Sequence, residues 1–213
     1  MSTESATVFA PVVTIGVPEN IEALIIRAAP PRERFSDEEF AQFCAEYPDL
    51  RIEMSSEGEM IIMLPVVSEG GRRNFLLTGR FSAWVEADRT GVGFDSSAGF
   101  TLPNGAKRAP DVSWIRRERW DALSEAEKNE FAPICPDFVV ELRSKSDRLA
   151  TLQRKMEEYL ANGASLGWLI DPLEKKVHIY RPGAPVDVLD QPSEIAGDPL
   201  LKGFVLKLDG IFN

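Results

Sequence analysis

The stretch Phe138-Val139-Val140-Glu141-Leu142 constrains the fold more than any other part of the chain. Strand side chains alternate between two faces, and this run is apolar on both. It reads as a central strand, covered on each side. An amphipathic helix follows over about residues 147–162 and stops at Gly163. Leu166-Gly167-Trp168-Leu169-Ile170-Asp171 is then a second buried strand, and Lys176 to Tyr180 pairs with it across the turn at Asp171-Pro172. Strands before and after a crossover helix predict an α/β fold: a mixed β-sheet flanked by α-helices.

Upstream, Ser36 caps a helix with Glu39 three residues on, the pattern of a capping box. Phe40, Phe43, Cys44 and Tyr47 recur at helical spacing and predict its buried face. Two short strands around Ile52 and Ile61 and a helix over about residues 72–89 follow. Phe75, Leu76, Phe81, Trp84 and Val85 are that helix's large apolar residues. Asn104-Gly105 is a tight-turn signal inside a hairpin-like pair that runs on to Ile115. The organisation expected is an N-terminal arm over residues 1–30, a main domain over 31–185 and a C-terminal extension over 186–213 that carries an edge strand.

Composition removes several chemistries. The chain has one histidine, His178, so no zinc cluster of the HExxH kind can form. His178 alternates with Val177 and Ile179 and reads as an ordinary strand residue. Cys44 and Cys135 lie far apart and read as two reduced thiols. The first residues lack a basic region, and the apolar run from Met60 to Val67 is too short to span a bilayer. The expectation is a cytoplasmic protein with no membrane partner. Net charge is −10, which opposes nonspecific binding to nucleic acid. The acidity is uneven: residues 1–100 carry 8 basic and 16 acidic side chains, residues 101–181 carry 14 and 13.

A carboxylate inside an apolar strand is costly unless it is paired or binds a metal. Asp111 precedes Val112, Trp114 and Ile115; Glu141 follows Phe138, Val139 and Val140; Glu53 sits in Arg51-Ile52-Glu53-Met54. Acidic side chains converging at strand ends offer the hard oxygen ligands that Mg²⁺ prefers. Ion pairs with Arg108, Arg143 or Lys155 are the plain alternative. On the helix after Glu141, Leu149, Leu152, Met156 and Leu160 form an apolar stripe. Lys155 falls about 100° from its centre, from where a long stem can lie on the core and reach inward.

With these residues in view, the segments FDSSAGFTLPNGAKRAPDVSWI, PDFVVELRSKSDRLATLQRKMEEYLANGASLGWLIDP and VHIYRPG resemble the Uma-type restriction endonuclease family of the PD-(D/E)XK nuclease superfamily. The resemblance runs from about Arg34 to Gly183. It implies a restriction-endonuclease-like fold and Mg²⁺-dependent phosphodiester hydrolysis, with Mn²⁺ as a substitute. Carried over by residue, Asp111 and Glu141 are metal ligands, the Leu142 carbonyl completes the protein's share, and Glu53 is an outer or additional ligand. Lys155 looks like the lysine this family places on the following helix. One departure stands out. The superfamily's lysine usually lies two residues after the acid, and Arg143 occupies that position. Arginine does not readily release a proton. Arg143, Lys145 and Arg148 could grip phosphates. The implied partner is DNA, and cutting both strands would favour a homodimer. The alternative is a noncatalytic module of the same fold that binds nucleic acid or protein.

Overall fold

The computed structural model describes residues 23–65 and 67–213. Residues 1–22 of the expected arm lie outside the described residues. The chain then runs β1 (Ala23–Ile26), α1 (Asp37–Glu46), β2 (Arg51–Met54), β3 (Met60–Met63), α2 (Ser68–Asp88), β4 (Gly91–Asp95), β5 (Phe100–Thr101), β6 (Lys107–Arg108) and β7 (Val112–Arg116). It continues α3 (Arg117–Asp121), α4 (Glu125–Lys128), β8 (Phe138–Leu142), α5 (Leu149–Ala161), β9 (Leu166–Asp171), β10 (Lys176–Tyr180), β11 (Asp187–Asp190), β12 (Glu194–Ala196) and β13 (Val205–Lys207).

The main sheet has the order β11-β10-β9-β8-β7-β4. It is mixed, as the sequence leads one to expect. β8 and β9 run parallel, with Glu141 opposite Leu169, and the other pairs are antiparallel. Parallel neighbours need a long connection, which α5 supplies. Both faces of β8 are buried. Phe138 and Val140 join α2 residues Leu77 and Phe81 on one side. Val139 joins α5 residues Leu152, Met156 and Tyr159 on the other. Alternation therefore sends Glu141 to the α5 face with Val139, and Asp111 to that face with Ile115.

A second sheet, β1-β3-β2-β6-β5, carries Glu53 and packs over α1 with Phe40, Ile52, Met54 and Met60. Asn104-Gly105 does turn β5 into β6, with Gly105 at φ 86°, where a side chain would be strained. The expected hairpin stops at Arg108, however. Val112 to Arg116 leave it and pair with β4 and β8 in the main sheet.

The Ser36 capping box forms with Glu39 on α1. Tyr47, expected on the buried face of that helix, is 46% exposed. The helix has ended at Glu46, and as C-cap Tyr47 leaves helical geometry, so the spacing no longer governs its direction. On α2, Phe75 is exposed while Leu76, Phe81, Trp84 and Val85 pack inward.

The C-terminal residues split into two roles. β11 is the edge strand of the main sheet, beside β10. The segment around Phe204, read as an edge strand, forms β13 and pairs with β12 alone in a separate two-stranded hairpin. It covers the α2 face of the main sheet, burying Ile195, Leu201, Phe204, Leu206 and Ile211. Trp168 stacks on Phe204 with ring centroids 5.8 Å apart. Burying side chains of this size contributes roughly 1.5–3 kcal/mol each.

Candidate active site

The site stands where residues 107–112 pass from one sheet to the other. Arg108 ends β6, Val112 opens β7, and Asp111 lies between. The Asp111 amide donates to the Val140 carbonyl at 3.0 Å, and Oδ2 accepts from the Leu142 amide at 2.8 Å. These bonds splice residue 111 onto the central strand and hold its carboxylate against the peptide that joins Glu141 to Leu142.

Glu141 is buried on the α5 face. Its Oε1 lies 2.8 Å from Lys155 Nζ and accepts the Tyr159 hydroxyl at 3.1 Å. Lys155 and Tyr159 are one helical turn apart on α5, so they reach the same carboxylate together. The Lys155 ammonium also donates to Glu53 Oε1 at 2.8 Å, and its side chain is only 9% exposed. The border position thus points the ammonium inward. Glu53 accepts two further donors, the Ala109 amide at 3.0 Å and Arg108 Nη1 at 3.2 Å. Arg108 Nε continues to Glu158 at 2.6 Å. Arg51, two residues before Glu53, donates through Nη2 to the Ala109 carbonyl at 2.6 Å, with Nη1 3.4 Å from Asp111 Oδ1.

Glu53 and Glu141 share one ammonium but differ in charge. Burial would raise Glu53, yet Lys155, Arg108 and the Ala109 amide outweigh it and hold its carboxyl below the usual range. Burial also raises Glu141; Lys155 opposes, but nearby Asp111 and Glu53 add to the rise, so its pKa is pushed up to about 7. Glu53 is the fully charged partner. Lys155 is held above the ordinary lysine value, because Glu141 and Glu53 outweigh the burial that would lower it. Burial lifts the Tyr159 hydroxyl well above its usual value, so it remains a donor.

Among the described residues, no group of three or more His, Cys, Asp or Glu forms a ready metal cage. The donors on hand are the Asp111 and Glu141 carboxylates and the Leu142 carbonyl at the end of β8. All are hard oxygens. Mg²⁺ binds proteins through one or two carboxylates and keeps several waters, so this set fits it. Glu53 is committed to three nitrogen donors and serves the ammonium. Beside it a cleft of about 660 Å³ opens between the second sheet and α5, lined by Glu53, Arg108, Lys155, Arg154 and Ser56 among others.

Arg148 lines this cleft as well, and the remaining candidates lie apart. Arg143 turns to the end of β9: Nη1 donates to the fully buried Asp171 at 2.7 Å, Nε to the Asp147 carbonyl at 3.3 Å, and Glu174 lies 3.8 Å away. Lys145 and Arg148 are exposed on the loop before α5. His178 sits buried in β10, where burial lowers its pKa. Burial pushes the Cys135 thiol up to about 12, which leaves it inert, and both cysteines are free thiols. Sequence reading missed Arg51 and Tyr159. Tyr159 carried a signal, its spacing of four from Lys155. Arg51 carried none beyond sharing a strand face with Glu53.

Residues 37–209 match the model of the Uma2 family, described as "Putative restriction endonuclease". The fold is also similar to the crystal structure of a putative nuclease belonging to DUF820 from Anabaena variabilis, with a TM-score of 0.63 and 23% identity, covering 79% of this chain and 96% of that one. No curated protein matches the chain.

Proposed function

Because the chain belongs to the Uma2 family, we propose that it is a metal-dependent DNA endonuclease that hydrolyses phosphodiester bonds at Asp111, Glu141 and Lys155. The observation that carries this reading is the Lys155 ammonium, 2.8 Å from both Glu53 and Glu141, beside an Asp111 that is lashed to the same strand as Glu141.

Asp111, Glu141 and the Leu142 carbonyl would hold Mg²⁺, or Mn²⁺ in its place. When bound, such a cation neutralises phosphate charge and lowers the pKa of a water. The chain's own groups do the remaining work. Lys155 donates hydrogen bonds to the attacking water and to the oxygens on which negative charge grows. Glu53 keeps that ammonium charged and aimed, and Arg108 with the Ala109 amide keeps Glu53 in place. Tyr159 fixes one oxygen of Glu141 by donating to Oε1. Arg143 stands where the superfamily usually has its lysine, but it is held by Asp171. Lys155 takes that role from the helix. Lys145 and Arg148 on the loop before α5 would meet the DNA backbone.

The test is a cleavage assay on single- and double-stranded DNA and RNA with Mg²⁺ or Mn²⁺, run beside Asp111→Ala. Cleavage of DNA by the wild type and none by Asp111→Ala is the expected result. Equal nicking by both proteins, or no cleavage of any substrate, would favour a noncatalytic module of the same fold.

A further inference from the structure

Three cations serve this site, and they are not equally committed. Arg108 is shared between Glu53 and Glu158, and Lys155 between Glu53 and Glu141. Arg51 meets one carboxylate, Asp111, at 3.4 Å and otherwise a neutral carbonyl at Ala109. Its Nε finds no hydrogen-bond partner among the described residues. Its side chain is 34% exposed, against 9% for Lys155 and 11% for Arg108. A guanidinium has five donors in a planar fork suited to phosphate oxygens. Arg51 uses two of them, one at a long distance.

The carboxylate Arg51 faces is one of the two read above as cation ligands. We propose that Arg51 is a phosphate-binding residue of this site, and that it acts as the counter-ion of Asp111 until a divalent cation takes its place. The inference rests on the reading of Asp111 and Glu141 as the cation's ligands. A cation and a guanidinium on the same carboxylate oxygen compete, so each weakens the other's hold. Once Asp111 is engaged by the cation, Arg51 loses the one carboxylate it hydrogen-bonds among the described residues. Its charge and two or three donors then face the incoming phosphodiester. The Ala109 carbonyl keeps Nη2 in place, so the side chain turns about a fixed point. Lysine could supply the charge but not the planar fork that holds Ala109 while presenting parallel donors to a phosphate.

The experiment compares wild type, Arg51→Gln and Arg51→Lys by calorimetric titration with Mn²⁺, by thermal melting in chelator, and by hydrolysis of duplex DNA. Arg51→Gln should bind Mn²⁺ about tenfold more tightly, as expected for removal of a part-buried competing charge. Its metal-free melting temperature should fall, and its kcat/KM should drop tenfold or more despite the tighter metal. Arg51→Lys should restore the weaker Mn²⁺ binding but little of the hydrolysis. Unchanged or weaker Mn²⁺ binding in folded Arg51→Gln, or wild-type hydrolysis in either variant, would overturn the inference while leaving the site reading in place. Absence of Mn²⁺ binding in every variant would overturn the site reading and this inference with it.

Discussion

Two ion-pair clusters stand at the same end of the main sheet, at the last residues of the parallel strands β8 and β9. In one, Arg143 meets Asp171, whose other oxygen accepts the Leu173 amide at 2.9 Å and the Glu174 amide at 3.2 Å. One guanidinium serves Asp171 and, at 3.8 Å, Glu174, and the cluster ties the ends of two strands together. In the other, Glu141 and Glu53 share Lys155 while Arg51 meets Asp111 and Arg108 meets Glu53, and burial with the neighbouring negative charges pushes Glu141 up to about 7. The same residue types at the same depth thus make a strut in one place and a receptive site in the other. What separates them is that one carboxyl of the second cluster, Glu141, is driven toward neutrality by burial and by its neighbouring carboxylates. A buried carboxyl perturbed by named charged neighbours is a mark of function.

The sharpest way to break the comparison is to remove one cation from each cluster. Lys155→Ala should cut DNA hydrolysis by roughly 10²–10⁴-fold, the range for losing a positioned proton-transfer or charge-stabilising group. Its Mn²⁺ affinity, read by calorimetry, should not fall. Arg143→Ala should instead destabilise the fold by about 3–5 kcal/mol in denaturant melts, because Asp171 stays buried without its cation. Whatever protein remains folded should cleave normally. Loss of turnover in folded Arg143→Ala would mean that the strut belongs to the active site.

A smaller effect tests the raised Glu141 carboxyl itself. Glu141 has a folded pKa of about 7 against an ordinary 4.5. A carboxyl raised in the folded state contributes stability that is fully present below about pH 4.5 and lost as pH climbs through 7. Glu141→Gln should therefore melt higher than wild type at pH 8 in chelator, by about 2–3 kcal/mol at most. The gap should close toward pH 4.5. Glu53, lowered by the same ammonium, moves the other way: its contribution is present above pH 4.5 and fades below it. A wild type whose stability does not fall between pH 5 and pH 8 would remove the basis for the contrast. Metal should reverse the slope, since cation binding at Glu141 competes with its proton.

The smallest effect concerns the loop between the clusters. Lys145→Ala and Arg148→Ala should each weaken DNA binding uniformly across sequences and reduce the slope of log affinity against log salt by about 1, as a lost phosphate contact does. Fluorescence anisotropy at several salt concentrations checks this. An unchanged slope in both variants would remove this loop from the DNA-contact surface.

Much of this was legible in the sequence, because it depends on neighbours along the chain. The double-faced run of β8 and the helix after it required a crossover in a mixed sheet. Period-two alternation sent Glu141 and Asp111 to definite faces, and helical spacing placed Lys155 at the border of an apolar stripe. The cost of a carboxylate in an apolar strand marked Asp111, Glu141 and Glu53 as residues needing an explanation. Which explanation holds for each depended on contacts between residues far apart in the chain. Arg143 and Lys155 were equally available to Glu141 by sequence. The tertiary structure gave Arg143 to Asp171 across the parallel pair and Lys155 to Glu141 and Glu53 across two sheets. The switch of the chain between sheets at residues 109–111, the Arg51 guanidinium beside Asp111, and the hairpin of the C-terminal residues over Trp168 were likewise settled only by packing. Local periodicity fixes which face a side chain occupies. The partner on that face, and with it the charge each carboxylate carries, is set by which distant strands and helices the folded chain brings alongside.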